Sequence, residues 1–145
     1  AQQCAQACGN SQAAQQAQEN IAQSPFCHIH VHTTALQAYN STQPYDLIVS
    51  NPPYVRECEK ADMEPNVLDY DPHTALFVSD TDPLIFYRAI GEFALTHLKP
   101  NGALYFEINQ YLATETCDLL IALGYKNVEL RKDINDNPRM IKATI

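Results

Sequence analysis

The chain has 145 residues, 46% hydrophobic and 18% charged, the values of one ordinary globular domain with a sizeable core. Its net charge of −8 argues against a large phosphate-gripping surface, leaves room for a local basic groove, and suits a small-molecule or protein substrate. No run approaches a membrane span and no charged-then-apolar leader stands at the start. The odd set Cys4, Cys8, Cys27, Cys58 and Cys117 reads as reduced thiols, so a cytoplasmic setting is expected.

Residues 1–24 are rich in alanine and glutamine, both good helix formers. They predict two helices broken at Gly9-Asn10-Ser11, with Asn10 or Ser11 as a cap and Pro25 ending the second. The apolar face is thin and lacks heptad leucines, which points to a modest surface helix rather than a coiled coil. His28-Ile29-His30-Val31-His32 alternates strictly and predicts a strand with three histidines on one face. Ligands so placed spread over roughly 13 Å along a strand, too far for one ion. A polar strand face is therefore favoured over a zinc site, and no metal is expected.

Tyr45 to Ser50 is an apolar run that predicts a buried strand. Asn51-Pro52-Pro53-Tyr54 stops it, because two prolines cannot donate to a sheet ladder. Each proline also pins its own φ and pushes the preceding residue toward extended geometry. Asn51 is thus held stiffly at the carboxyl end of a strand, where open α/β sheets place their ligands. The Asn51 side chain and the Pro52 backbone offer two carbonyl acceptors side by side. Such a pair can take both hydrogens of one planar NH2 group and turn its lone pair toward an electrophile. Tyr54 adds a flat ring against a planar substrate or a cationic centre.

Residues 55–81 carry most of the acid and little periodicity, the mark of a functional or mobile loop. Within it, Asp71-Pro72-His73-Thr74-Ala75-Leu76 reads as a fixed turn entering an apolar stretch. Asp82-Pro83 predicts a helix start, with Asp82 as cap and proline at the first position. Leu84, Ile85, Ala89, Phe93 and Leu95 mark its apolar face to about Leu98. Lys99-Pro100-Asn101-Gly102 reads as a turn. Ala103 to Ile108 is a central strand, and Tyr111 to Leu123 an amphipathic helix capped by Gly124. Asn127 to Lys132 and Arg139 to Ile145 are strands joined by a short turn, hence antiparallel. The fold class is α/β, a mostly parallel sheet with a C-terminal antiparallel hairpin.

From Tyr45 onward the chain resembles a class I S-adenosylmethionine-dependent methyltransferase. More narrowly, it resembles the protein-(glutamine-N5) methyltransferases that modify peptide chain release factors. YDLIVSNPPYV, shared with many amino-methylating enzymes, is followed in order by DPHTALFVSDTDPLIFYRAI, LKPNGALYFEINQ and GYKNVELRKDINDNPRMIKA, which narrow the match to the glutamine enzymes. The resemblance implies an incomplete Rossmann-like sheet, S-adenosyl-L-methionine as cofactor and a release factor as protein partner. It implies that Asn51 and Pro52 are catalytic, that Asn51, Pro52, Pro53, Tyr54 and Glu107 bind substrate, and that Asn51, Thr34 and Ala35 line the cofactor. For Glu107 a substrate-side role and a strand-end carboxylate satisfied by local backbone stand open together. Arg139 matches a recurrent arginine of the final hairpin and is expected to pair with Asp133 or Asp136.

The departures from that family are specific. It holds its cofactor on a glycine-rich turn after the first strand and an acid after the second. Here the glycines are Gly9, Gly91, Gly102 and Gly124, no two close together, and nothing before residue 27 reads as a strand. These departures predict a carboxyl-terminal piece of a longer enzyme, with 1–44 an incomplete cofactor half and 45–145 the substrate half. Residues 1–44 would then dock irregularly, move, or pair with another chain, and the incomplete sheet would allow self-association. Two further readings remain: adenine-N6 methylation of nucleic acid, since adenine also presents a planar NH2, and a non-catalytic remnant that keeps the substrate loop. The acidic balance and the later motifs favour the glutamine reading over nucleic acid.

Overall fold

The computed structural model describes residues 4–7, 29–32, 44–62 and 76–145. The chain divides into two compact units, Ala1–Thr42 and Gln43–Ile145. The expected Asn10 or Ser11 cap, the Pro25 stop, Cys27, His28 and most of the turn at 71–76 lie outside the described residues.

In the first unit, β1 (Cys4–Ala7) pairs in parallel with β2 (Ile29–His32), Cys4 opposite Ile29 and Ala7 opposite His32. β2 is the strand that the histidine alternation predicts. β1 corrects the helical reading of residues 4–7, and with it the expectation that no strand precedes residue 27. The helix propensities of alanine and glutamine differ from those of other residues by about a few tenths of a kcal/mol, less than a paired backbone supplies. A parallel pair also needs a connection of about a dozen residues or more, and β1 and β2 are far enough apart in the sequence to allow one.

The second unit is built on a four-stranded sheet. Its strands are β3 (Tyr45–Ser50), β6 (Leu98–Glu107), β8 (Pro138–Thr144) and β7 (Asn127–Lys132), in that spatial order. β3 and β6 run parallel; β8 runs antiparallel to both β6 and β7. A separate two-stranded piece joins β4 (Val55–Arg56) to β5 (Phe77–Val78) in parallel. Of the pairings among described strands, β1–β2, β3–β6 and β4–β5 are parallel and the two involving β8 are not. The α/β class with an antiparallel C-terminal hairpin is therefore what the structure contains.

Residues 99–102 differ from their reading as a turn. They continue β6 in extended form, but the register breaks there, with Tyr45 opposite Leu98 and Leu47 already opposite Ala103. The bulged residues include Pro100, which has no N–H to give a ladder.

Two helices cover one face of the sheet. α1 (Ile85–His97) buries Tyr87, Gly91 and Ala94, and α2 (Ala113–Leu123) buries Ala113, Thr116 and Leu120, each set at helical spacing. They meet Leu104, Phe106, Ile141 and Ala143, all essentially inaccessible. The helices approach closely at Gly91, where a Cβ would lie 2.9 Å from Leu123 Cδ1. The opposite face carries Leu47 and Val49, 49% and 69% exposed.

Asp82 does not cap α1 as expected. The capping position is Leu84, without a side-chain bond. The Asp82 carboxylate instead takes both terminal nitrogens of Arg88, at 2.9 and 3.0 Å. α2 ends as its glycine predicts. Gly124 has φ 110°, its N–H reaches Ile121 O, and Tyr125 N–H reaches Leu120 O, the paired bonds of a Schellman motif.

Candidate active site

β3 and β6 are parallel neighbours and end together, Ser50 opposite Phe106. Both of these residues lie on the helix-covered side. The next residues along each strand, Asn51 and Glu107, therefore emerge side by side at the carboxyl edge, the usual position of ligands in open α/β sheets. Asn51 is exposed, Pro52 is buried, and Pro53, Tyr54 and Glu107 are half-buried. The corner is thus anchored by its first proline and presents its amide outward. Of the residues assigned to the cofactor, Thr34 and Ala35 lie outside the described residues.

Tyr54 is held at both ends. Its hydroxyl donates to Glu107 Oε1 at 2.7 Å, and its carbonyl accepts from Asn109 Nδ2 at 2.9 Å. Burial first, and then the bond to the Glu107 carboxylate, push the phenol up to about 12, while the nearby Arg139 guanidinium pulls the other way. The hydroxyl therefore remains a donor at neutral pH. Glu107 thus accepts a bond from a side chain of the candidate site.

Asn109 is 4% exposed and closes the arrangement from beneath. Besides Tyr54 O, its Nδ2 reaches both Glu59 oxygens at 2.9 and 3.2 Å, and its Oδ1 accepts from Tyr111 N–H at 2.9 Å. Glu59 lies on a 3₁₀ segment, Glu57–Asp62, and is itself held by Arg56 Nε at 2.7 Å and by the Arg56 N–H at 3.2 Å. The Asn109 N–H donates to the Tyr87 hydroxyl at 3.2 Å, and that hydroxyl donates to Glu107 O at 3.4 Å. Burial raises the Tyr87 phenol further still. The residues on either side of Glu57 are tied to residues 77–80 by the β4–β5 pairing and by Cys58 N–H on Asp80 Oδ1 at 3.1 Å.

Arg139 pairs with Asp133 through Nε at 3.2 Å, as expected. Asp133 also accepts the N–H groups of Asn135 and Asn137 and so shapes the hairpin turn. The Arg139 carbonyl accepts from Ile108 N–H at 2.9 Å, which ties the hairpin to the strand end that bears Glu107. Sequence reasoning missed Glu59, Tyr87 and Asn109. Asn109 had a legible signal, a cap-type residue between a strand and a helix. Tyr87 could be read as core but not as a hydroxyl donor, and nothing local marks Glu59. Among the described residues, no group of three or more His, Cys, Asp or Glu is placed to hold a metal ion. No helix among them is long and apolar enough to cross a membrane.

No family model matches the chain. Curated proteins do. The chain is 50% identical over 127 residues to the release factor glutamine methyltransferase of Flavobacterium psychrophilum, covering 88% of this chain and 45% of that protein. The chain is homologous to the release factor glutamine methyltransferases. A second one, from Bacteroides thetaiotaomicron, is 50% identical over 68% of the chain and 36% of its own length. A bifunctional methyltransferase of Rickettsia typhi is 36% identical over 79% of the chain. The chain spans less than half the length of each of these relatives. Solved structures show the same fold. A methyltransferase from Pyrococcus furiosus superposes with a TM-score of 0.67 at 16% identity, over 99% of this chain and 64% of that one. The N-methyltransferase NodS of Bradyrhizobium japonicum, solved with S-adenosyl-L-homocysteine, gives 0.54 at 14% identity, over 97% and 64%. The homology to release factor glutamine methyltransferases and the Rossmann-like class I fold thus rest on independent comparisons.

Proposed function

We propose that this chain supplies the substrate side of an enzyme that methylates N5 of a glutamine side chain in a peptide chain release factor. The observation that carries the reading is the exposed Asn51 amide on its proline-stiffened corner, beside a tyrosine fixed to Glu107. Asn51 Oδ1 and the Pro52 carbonyl take the two hydrogens of the glutamine amide. Fixing that nitrogen restricts it to the attacking orientation, so positioning supplies most of the rate. Tyr54 lines the same pocket. Its bond to a carboxylate makes its ring a more electron-rich wall, suited to a sulfonium cation.

That wall is the feature of the described residues that fits S-adenosyl-L-methionine. When bound, the cofactor supplies a methyl group on a positively charged sulfur. Of the described residues, Asn51 is the other one proposed to hold it. The amide proton displaced on methylation passes to water at the exposed mouth of the corner, so the chain needs no buried base. The setting is a cytoplasmic one, with release factor as the protein partner. The free thiols at Cys58 and Cys117 accord with it.

The test is methyl transfer from labelled S-adenosyl-L-methionine, with the full-length protein and either a release factor or transfer RNA as acceptor. Label on the release factor glutamine, abolished in Asn51→Ala, is the expected result. Label on transfer RNA alone, or none on either, overturns the reading.

A further inference from the structure

Asn109 satisfies three segments with one amide group. Its orientation is forced, because Glu59 can only accept and the Tyr111 N–H can only donate. One Nδ2 hydrogen serves Tyr54 O and the other the Glu59 carboxylate, while Oδ1 takes the first turn of the segment entering α2. The side chain is buried at 4% exposure, and the bond to Glu59 is charge-assisted. Only an asparagine-sized amide offers that donor and acceptor set there. Aspartate keeps the acceptor and loses both donors. Alanine loses everything.

We propose that Asn109 is a positioning residue for the methyl-transfer corner, acting with Glu59 as a clamp that fixes the Tyr54 carbonyl and, through it, the carbonyl pair at Asn51 and Pro52. This rests on the function proposed above. The clamp joins the end of the tetrapeptide to the base of the acidic loop. Arg56 bonds Glu59 through both its side chain and its backbone, so the chain from Tyr54 to Glu59 folds back onto one fixed point. Nothing in that point touches the transferred group. It acts by restricting Tyr54, which is three residues from Asn51.

Asn109→Asp separates positioning from folding. It retains the acceptor for the Tyr111 N–H, and so the start of α2, while setting a carboxylate against Glu59 and against Tyr54 O. Two measurements on the full-length protein follow. Backbone amide exchange across residues 55–59 should quicken by about tenfold or more, with α2 amides unchanged. Turnover on release factor should fall by about 10- to 100-fold, with KM within about threefold. Combining Glu59→Gln with Asn109→Asp should recover part of both losses, because a glutamine NH2 can donate to the introduced carboxylate. Should Asn109→Asp fail to fold, Glu59→Ala removes the other half of the clamp from a less buried site and should quicken exchange over the same residues. Unchanged exchange and turnover in Asn109→Asp, or no recovery in the double variant, overturns the clamp. A wild-type protein that transfers no methyl to release factor, yet shows the exchange difference, overturns only the function proposed above.

Discussion

Replacing Tyr87 by phenylalanine removes one oxygen from beneath the candidate site. The ring is fully buried and stands edge-on to Phe106, centroids 5.2 Å apart at 84°, so no cavity opens. The loss is a hydroxyl that accepts from the Asn109 N–H at 3.2 Å and donates to Glu107 O at 3.4 Å. The second contact is long and contributes little. A typical hydrogen bond is worth about 1 kcal/mol net, and a buried donor left without a partner costs about 1–3 kcal/mol. Tyr87→Phe should therefore destabilise by about 2 kcal/mol. Tyr125→Phe provides the control. That hydroxyl donates to Gly91 O at 2.9 Å, a carbonyl inside α1 that also accepts the helical bond. No donor is orphaned, so the cost should be nearer about 1 kcal/mol. Urea unfolding with an unchanged slope measures both, and each kcal/mol lowers Tm by about 3–6 °C at this size. Equal costs, or a larger one for Tyr125→Phe, would refute the argument from the orphaned N–H.

Asn51→Ala should cut methyl transfer on the order of 100-fold, while its exposure keeps the stability change within about 0.5 kcal/mol; matched kinetics and denaturant curves check both. Gly124→Ala places a Cβ at φ 110° and should cost about 1–2 kcal/mol by thermal unfolding, all of it local backbone strain, since no atom beyond the adjoining residues lies within 4 Å of that Cβ. The Asp133 carboxyl is held below its ordinary 3.8, first by the Asn137 N–H, then by that of Asn135 and by Arg139. A lowered folded value binds fewer protons than the unfolded chain, so this contribution is complete above 3.8 and is lost as pH falls through the folded value. Asp133→Asn should therefore flatten the stability profile below about pH 4 and leave its shape above about pH 5 unchanged.

Local chemistry settled much of this protein in advance. The proline pair could only end β3. Gly124 could only close α2, and the alternation of β7 and β8 across a short polar turn could only give a hairpin. These features follow from fixed φ, a left-handed φ and a period of two, which are properties of a few adjacent residues. The corner at Asn51 was legible for the same reason. What required the tertiary structure was pairing across distance. Residues 4–7 became a strand because β2 lay beside them, against their helical composition. Asp82 gave up its cap for an arginine a turn and a half away. Glu107 found Tyr54, and Asn109 found both Tyr54 and Glu59, roughly fifty positions apart in the chain. A donor's identity can be read from sequence, but its partner is decided by which strand ends the sheet brings to one edge.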